Sequence, residues 1–131
     1  MPNSRAKGIR GELEVVKLMQ RWYPGCKRSF GQARQGYEQP DIIGGGIEDD
    51  FFVEVKRYKK LTQKQLSNFW IKTKKDRSRF NNNLPASMIH REDKDDWFVW
   101  VQWINNMPSD IGGGMTWQEF SDAMDNWKGV K

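Results

Sequence analysis

Asp41, Glu54 and Lys56 are the side chains whose types and spacing could support chemistry. They fall within Pro-Asp-Ile-Ile-Gly-Gly-Gly-Ile-Glu-Asp-Asp-Phe-Phe-Val-Glu-Val-Lys, residues 40–56. This stretch reads as two short strands joined by a glycine-rich turn, with Asp41 opening the first strand behind a proline that favours extended backbone. The second strand, Phe51 to Tyr58, alternates with a period of two. Phe51, Val53 and Val55 take one face, and Phe52, Glu54 and Lys56 the other. Glu54 and Lys56 therefore share a side, roughly 7 Å apart along the strand. Two carboxylates and an ammonium on adjacent strands make a compact site for a hard divalent cation and an attacking water. Glu-Val-Lys alone would be an ordinary solvated face; the added Pro-Asp, turn and apolar strand make the pattern more specific.

A fourth group comes from the first predicted helix, Arg5 to Trp22, which the Pro24-Gly25 pair stops. At 100° per residue, Val15, Met19, Tyr23, Val16, Ile9 and Leu13 form one apolar arc. Glu12 falls in its middle. A carboxylate there is costly unless a cation or donors meet it. Either a buried Lys or Arg or a metal at the core edge would satisfy it, and the metal is the account adopted. Glu14 instead lies near Arg10 and Lys17, where exposed ion pairs form readily.

The other elements must hold these groups in place. Residues 26–30 are expected to form the first strand, followed by a polar loop, Gly31 to Gln39, whose Arg34 and neighbours suit either a plain connector or phosphate contacts. Thr62 and Gln65 read as a capping box opening a helix to Phe80, with Leu66, Phe69, Trp70 and Thr73 inward and Lys64, Lys72, Lys75 and Arg79 outward. Strands follow at Ala86 to His90 and Trp97 to Ile104; the latter is apolar on both faces, as in a strand that is central in the sheet or covered by another subunit. Thr116 and Glu119 box the last helix, with Phe120, Ala123, Met124 and Trp127 inward. The acidic turn between those strands lacks the glycine and spaced acids of a calcium loop. His90 receives no role.

The 131 residues are read as one domain, with a formal net charge of +5. Residues 56–79 hold ten Lys or Arg against one acid, whereas residues 92–131 hold eight acids against three Lys. Such a one-sided basic segment suits a nucleic-acid binder as well as a soluble helix. No apolar run approaches the roughly 20 residues of a membrane span, so no membrane partner is expected. A single cysteine, Cys26, fits a reducing cytoplasm.

Taken together, Pro40-Asp41 and Glu54-Val55-Lys56 resemble the PD-(D/E)xK nuclease signature. Lys7-Gly8-Ile9-Arg10-Gly11-Glu12 and Arg28-Ser29 are similar to the opening of archaeal-type Holliday junction resolvases within that superfamily. The resemblance covers roughly residues 6–60. It departs in Gly11, in the glutamine-rich insertion before Pro40, and in an unmatched C-terminal third. It implies an α/β, restriction-endonuclease-like core, a central mixed β-sheet flanked by helices. It also implies a DNA endonuclease leaving 5′-phosphate and 3′-hydroxyl ends. The expected site has Asp41, Glu54 and the Val55 carbonyl holding Mg²⁺, with Mn²⁺ substituting, and Glu12 completing the shell or ordering a water. Lys56 serves the nucleophile or the phosphate charge, and Ser29, through the likeness, a phosphate or water contact. Lys7, Arg10, Arg28, Arg34, Arg57, Lys59 and Lys60 are expected to meet DNA phosphates. Branched or duplex DNA is the expected substrate, in the cytoplasm of a bacterial, archaeal or phage-infected cell. Symmetric junction cutting needs two sites, hence a homodimer, with the Trp-rich final third as the interface. The alternatives are a nicking or replication-repair nuclease, or a non-catalytic DNA-binding protein on the same scaffold.

Overall fold

The computed structural model describes residues 4–29, 39–102, 107–108 and 110–130. In chain order the elements are α1 (Ser4–Met19), β1 (Lys27–Arg28), β2 (Ile42–Ile43), α2 (Ile47–Asp50), β3 (Phe52–Tyr58), α3 (Gln63–Phe80), β4 (Ala86–Glu92), β5 (Phe98–Val101), β6 (Gly113–Thr116) and α4 (Trp117–Lys128). Four strands form one mixed sheet in the order β3-β4-β5-β6, and β1-β2 make a separate antiparallel pair. β3 and β4 are parallel, which requires a crossover, and α3 supplies it. The β4-β5 and β5-β6 pairs are antiparallel.

Burial separates the two faces. Val15 and Met19 of α1, Val53 and Val55 of β3, Val99 of β5, and Phe120 and Met124 of α4 share one core. On the opposite face Leu61, Leu66 and Met88 pack with Tyr58, Phe69, Trp70 and Trp100 under α3. The period-two reading of β3 is thus realised: Phe51, Val53 and Val55 join the first core. Lys56 lies on the α3 side, its Nζ 4.7 Å from the centre of the Phe69 ring. Both capping boxes form, Thr62 with Gln65 and Thr116 with Glu119. The mixed sheet flanked by helices is the architecture expected.

Several local expectations need correction. The segment around Asp41 is not joined to β3 as a hairpin; β2 pairs with β1, placing Arg28 opposite Ile42. Gly44, Gly45 and Gly46 all have positive φ and lead into the one-turn α2 instead. A Cβ on Gly45 would stand 2.7 Å from the Cys26 nitrogen, so only glycine permits this backbone-on-backbone approach. α1 ends at Met19, short of Trp22. Leu13, at the rim of the predicted arc, is 52% exposed because the sheet meets only the Val15–Met19 side. Glu14 ignores Arg10 and Lys17 and pairs across the fold with Arg57 and Arg91. β5 is central, but Trp103 and Ile104 lie outside the described residues. The strand β6, Gly-Gly-Met-Thr, was not anticipated.

The aromatic C-terminal third packs inward. Trp117 meets Trp22, Trp127 meets Phe51, and Trp97 is buried. Trp117 and Trp127 are half-buried against the protomer's own core, and Trp103 lies outside the described residues.

α1 comes close to β3 at Gly11, where an added Cβ would be 3.0 Å from Arg57 Cβ and 3.6 Å from the Trp97 ring. Alanine there gains about 1 kcal/mol of helix propensity against a small clash. Valine adds bulk that neither neighbour can yield to. Gly11→Ala is therefore expected to stay within about 1 kcal/mol of the parent, and Gly11→Val to lose about 1–3 kcal/mol in urea unfolding. Equal stability of the two variants would show that the helix does not seat as described.

Candidate active site

β3 is an edge strand, and its open edge is where the singled-out residues gather. A cleft of about 400 Å³ is lined by Arg5, Gly8, Glu12, Asp41, Glu54, Val55, Lys56, Arg57 and Tyr58. The Asp41 N–H donates to the Val53 carbonyl over 2.8 Å, and the Val55 N–H donates to Asp41 Oδ2 over 2.7 Å. Alternate residues of a strand direct their backbone groups to the same edge, so the Val55 carbonyl faces the cleft alongside that of Val53. The Ser29 N–H donates to the Asp41 carbonyl over 2.8 Å, which brings Ser29 beside Asp41 through the backbone.

Electrostatics within the cleft follow from this crowding. Burial pushes the Asp41 carboxyl well above its ordinary pKa, the charges of Glu54 and Glu12 push it further, and only the Val55 N–H opposes. Glu54 is 7% exposed. Lys56 Nζ stands 3.5 Å from Glu54 Oε1. Burial by itself would lower the Lys56 pKa, but Glu54, Tyr58 and Asp41 more than offset it, and the net direction is upward. Lys56 is thus held as a cation next to a concentrated negative charge.

Glu12 reaches the cleft but does not close a tight three-carboxylate set. Its Oε1 accepts from Arg28 Nε at 2.6 Å, and its side chain is 19% exposed. Among the described residues no three His, Cys, Asp or Glu side chains already converge in metal-holding geometry. Of the two accounts of Glu12, pairing with an arginine is the one observed; that arginine comes from β1. The donors nearest one another are Asp41, Glu54 and the Val55 carbonyl, all oxygen, and no His or Cys lines the cleft. The donor set suits a hard cation. The mutual repulsion that raises Asp41 is what such a cation would relieve.

The residues expected to meet phosphate divide into groups. Arg10, Lys59 and Lys60 are exposed. Lys7 is bound to Asp93 at 2.7 Å, Arg57 to Glu14 and Asp93, and Arg28 to Glu12. The two Asp93 pairs tie α1 and β3 to the turn after β4, and the other two tie α1 to β3 and to β1, so these charges are used within the fold. Arg34 lies outside the described residues. Arg5 and Tyr58 line the cleft without having been singled out. Arg5 had a legible signal, since Arg5, Gly8 and Glu12 follow the three-then-four spacing of one helix face.

A family model described as "Phage putative PDDEXK endonuclease" matches residues 3–126. A search of curated proteins found no match. Among solved structures the chain is similar to "1.6A resolution structure of Archaeoglobus fulgidus Hjc, a Holliday junction resolvase from an archaeal hyperthermophile". That likeness has a TM-score of 0.44 and 17% identity over 87% of this chain and 92% of the other. Among the described residues no helix is long and apolar enough to cross a membrane.

Proposed function

Because the chain belongs to the phage PDDEXK endonuclease family, we propose that it is a divalent-metal-dependent DNA endonuclease acting on branched DNA, with a Holliday junction as the leading substrate. The observation that carries the reading is the gathering of Asp41, Glu54, the Val55 carbonyl and Lys56 at one open strand edge. PD-(D/E)xK nucleases use divalent metals as a class. Asp41, Glu54 and the Val55 carbonyl would hold Mg²⁺, or Mn²⁺ in its place, with Glu12 completing the set or orienting a water. When bound, the ion lowers the pKa of water and neutralises charge on the scissile phosphate.

The chain's own residues do the rest. Lys56, kept protonated by Glu54, places a positive charge where the phosphoryl oxygens gain charge. The Val55 N–H holds Asp41 by one oxygen, which fixes the carboxylate's orientation beside Glu54. Arg28 steers Glu12 from behind. Ser29, beside Asp41, serves a phosphate or water contact. Arg10, Lys59 and Lys60 provide exposed charge for the DNA backbone, which positions without reading sequence.

A second reading has its own support. Paired cuts in a junction call for a twofold homodimer, and Trp97 is buried while Trp117 and Trp127 pack half-buried against the protomer's own core. That packing favours a nicking or replication-repair nuclease working as one copy. The deciding experiment offers a synthetic four-way junction, a flap, a duplex and a single strand with Mg²⁺ or with EDTA, alongside sedimentation of the protein. Symmetric junction nicks from a dimer uphold the resolvase reading, and flap or duplex nicks from a monomer uphold the second. Binding with no metal-dependent cleavage of any substrate would leave only a DNA-binding protein on a nuclease scaffold.

A further inference from the structure

On the α3 face of the sheet lies a second cavity, of about 390 Å³, separate from the cleft at the β3 edge. The strand register relates the two. Lys56 lies opposite His90, His90 opposite Phe98, and Phe98 opposite Thr116, so one row crosses all four strands on one face. The neighbouring row runs Glu54, Met88, Trp100, Gly114. His90, Phe98, Trp100, Gly114 and Thr116 from these rows line the cavity. It therefore shares its floor with the two β3 side chains of the candidate active site.

The lining has a definite chemistry. His90 stacks on Phe98 with ring centres 6.0 Å apart and meets Trp100 edge-on at 5.5 Å. His90 is only 6% exposed, and its buried Nε2 has no hydrogen-bond partner among the described residues. Burial lowers its pKa to about 4 against the opposing charge of Glu92, so near neutral pH the ring is uncharged, with one nitrogen a donor and the other an acceptor. Gln63, Glu92 and Asp95 add further acceptors to the wall. The volume lies within the roughly 300–1,000 Å³ of small-molecule sites. Flat aromatic walls with acceptors at their edge match a planar heterocycle carrying amino groups. Arg91 also lines the cavity, but its guanidinium is engaged by Glu14 and the Asp95 carbonyl, so the Glu92, Asp95 and Glu119 carboxylates repel phosphate and turn the base inward and the backbone out. The backbone has a path as well: Tyr58 lines the cleft, Leu61 lines the cavity, and the exposed Lys59 and Lys60 fill the two positions between.

We propose that this cavity takes one unstacked nucleobase from the DNA strand that crosses Lys59 and Lys60, and prefers amino-bearing bases to thymine. The identity of the polymer as DNA rests on the nuclease reading; the cavity and its base preference do not. Unpaired bases occur at flaps, junction centres and single-stranded tails, so the cavity would direct the enzyme to branched substrates. Carboxylate acceptors pair with the cytosine or adenine amino group, and thymine offers none. Generic stacking platforms, in contrast, tolerate every base.

The test measures tryptophan fluorescence of the whole protein in EDTA, titrated with short oligo-dC, oligo-dA and oligo-dT. The parent should bind dC and dA about tenfold more tightly than dT, in the range set by a single base contact. Glu92→Gln combined with Asp95→Asn keeps side-chain size, replaces the carboxylates with amides that can also donate to thymine's carbonyls, and should erase the preference. Gln63→Trp, at an exposed position of the first turn of α3, should block entry and weaken dC binding about tenfold while leaving the melting temperature unchanged. Equal or tighter binding of dT by the parent, or an unaltered base order in both variants, overturns the proposal even if junctions are cut. An intact base order in a protein that cuts nothing retains the cavity and removes the nuclease reading.

Discussion

Glu54→Gln is expected to lower metal-dependent cleavage by at least about 1,000-fold while leaving the fold intact. The substitution conserves shape and removes one charge from a side chain that is 7% exposed, within 3.5 Å of Lys56 and in the field that acts on Asp41. Two losses then combine. A carboxylate that would hold the ion becomes a weak neutral donor, and ion stabilisation of the reacting phosphate is worth several kcal/mol. Lys56 loses the nearest negative charge that raises its pKa, so its hold on the proton weakens. At 1.36 kcal/mol per tenfold, a loss of about 4 kcal/mol gives the stated factor. Single-turnover cleavage at saturating protein separates this from weakened DNA binding, which rests on surface lysines and should change little. A variant retaining more than a tenth of the parent rate would show that Glu54 does not belong to the reacting site.

The neighbourhood of Glu54 was legible because one strand decides it. A period of two places Glu54 and Lys56 on a common face whatever the partner strands are, and the α3 capping box is equally local. Glu12 was recognisable as a misplaced carboxylate from helical spacing alone. Its partner was not, since Arg28 arrives from β1 and nothing in the spacing of the two residues predicts a 2.6 Å contact. Glu14 fails the same way: helix spacing points to Arg10 and Lys17, yet the strands bring Arg57 and Arg91 nearer. The strand β6 was hidden for another reason. Gly-Gly-Met-Thr has poor strand propensity and is extended only because β5 offers an edge, with Met115 opposite Val99 in the core. The row from Lys56 through His90 and Phe98 to Thr116 depends on three registers at once, which no single segment records.

Asp41→Asn separates stability from activity and should move them in opposite directions. The raised pKa of Asp41 arises first from burial, then from Glu54 and Glu12. The folded protein thus holds this proton more tightly than the unfolded chain, whose carboxyl titrates near 3.9. The linked stability is complete below that pH and is lost as the pH rises through the higher folded value. At neutral pH without metal the native state therefore bears a cost at this residue. Asparagine removes it, because its carbonyl can still accept the Val55 N–H and its amide can donate toward Glu54. In EDTA at neutral pH Asp41→Asn should unfold about 0.5–2 kcal/mol later than the parent, the gain shrinking as the pH falls toward 4. Added Mg²⁺ should raise the melting temperature of the parent and not of the variant, since ligand binding to the native state alone shifts the unfolding equilibrium. Cleavage by the variant should fall by at least about 100-fold. A variant less stable than the parent in EDTA would mean that the three carboxylates do not repel one another across the cleft. The negative field offered to a cation would then be absent too.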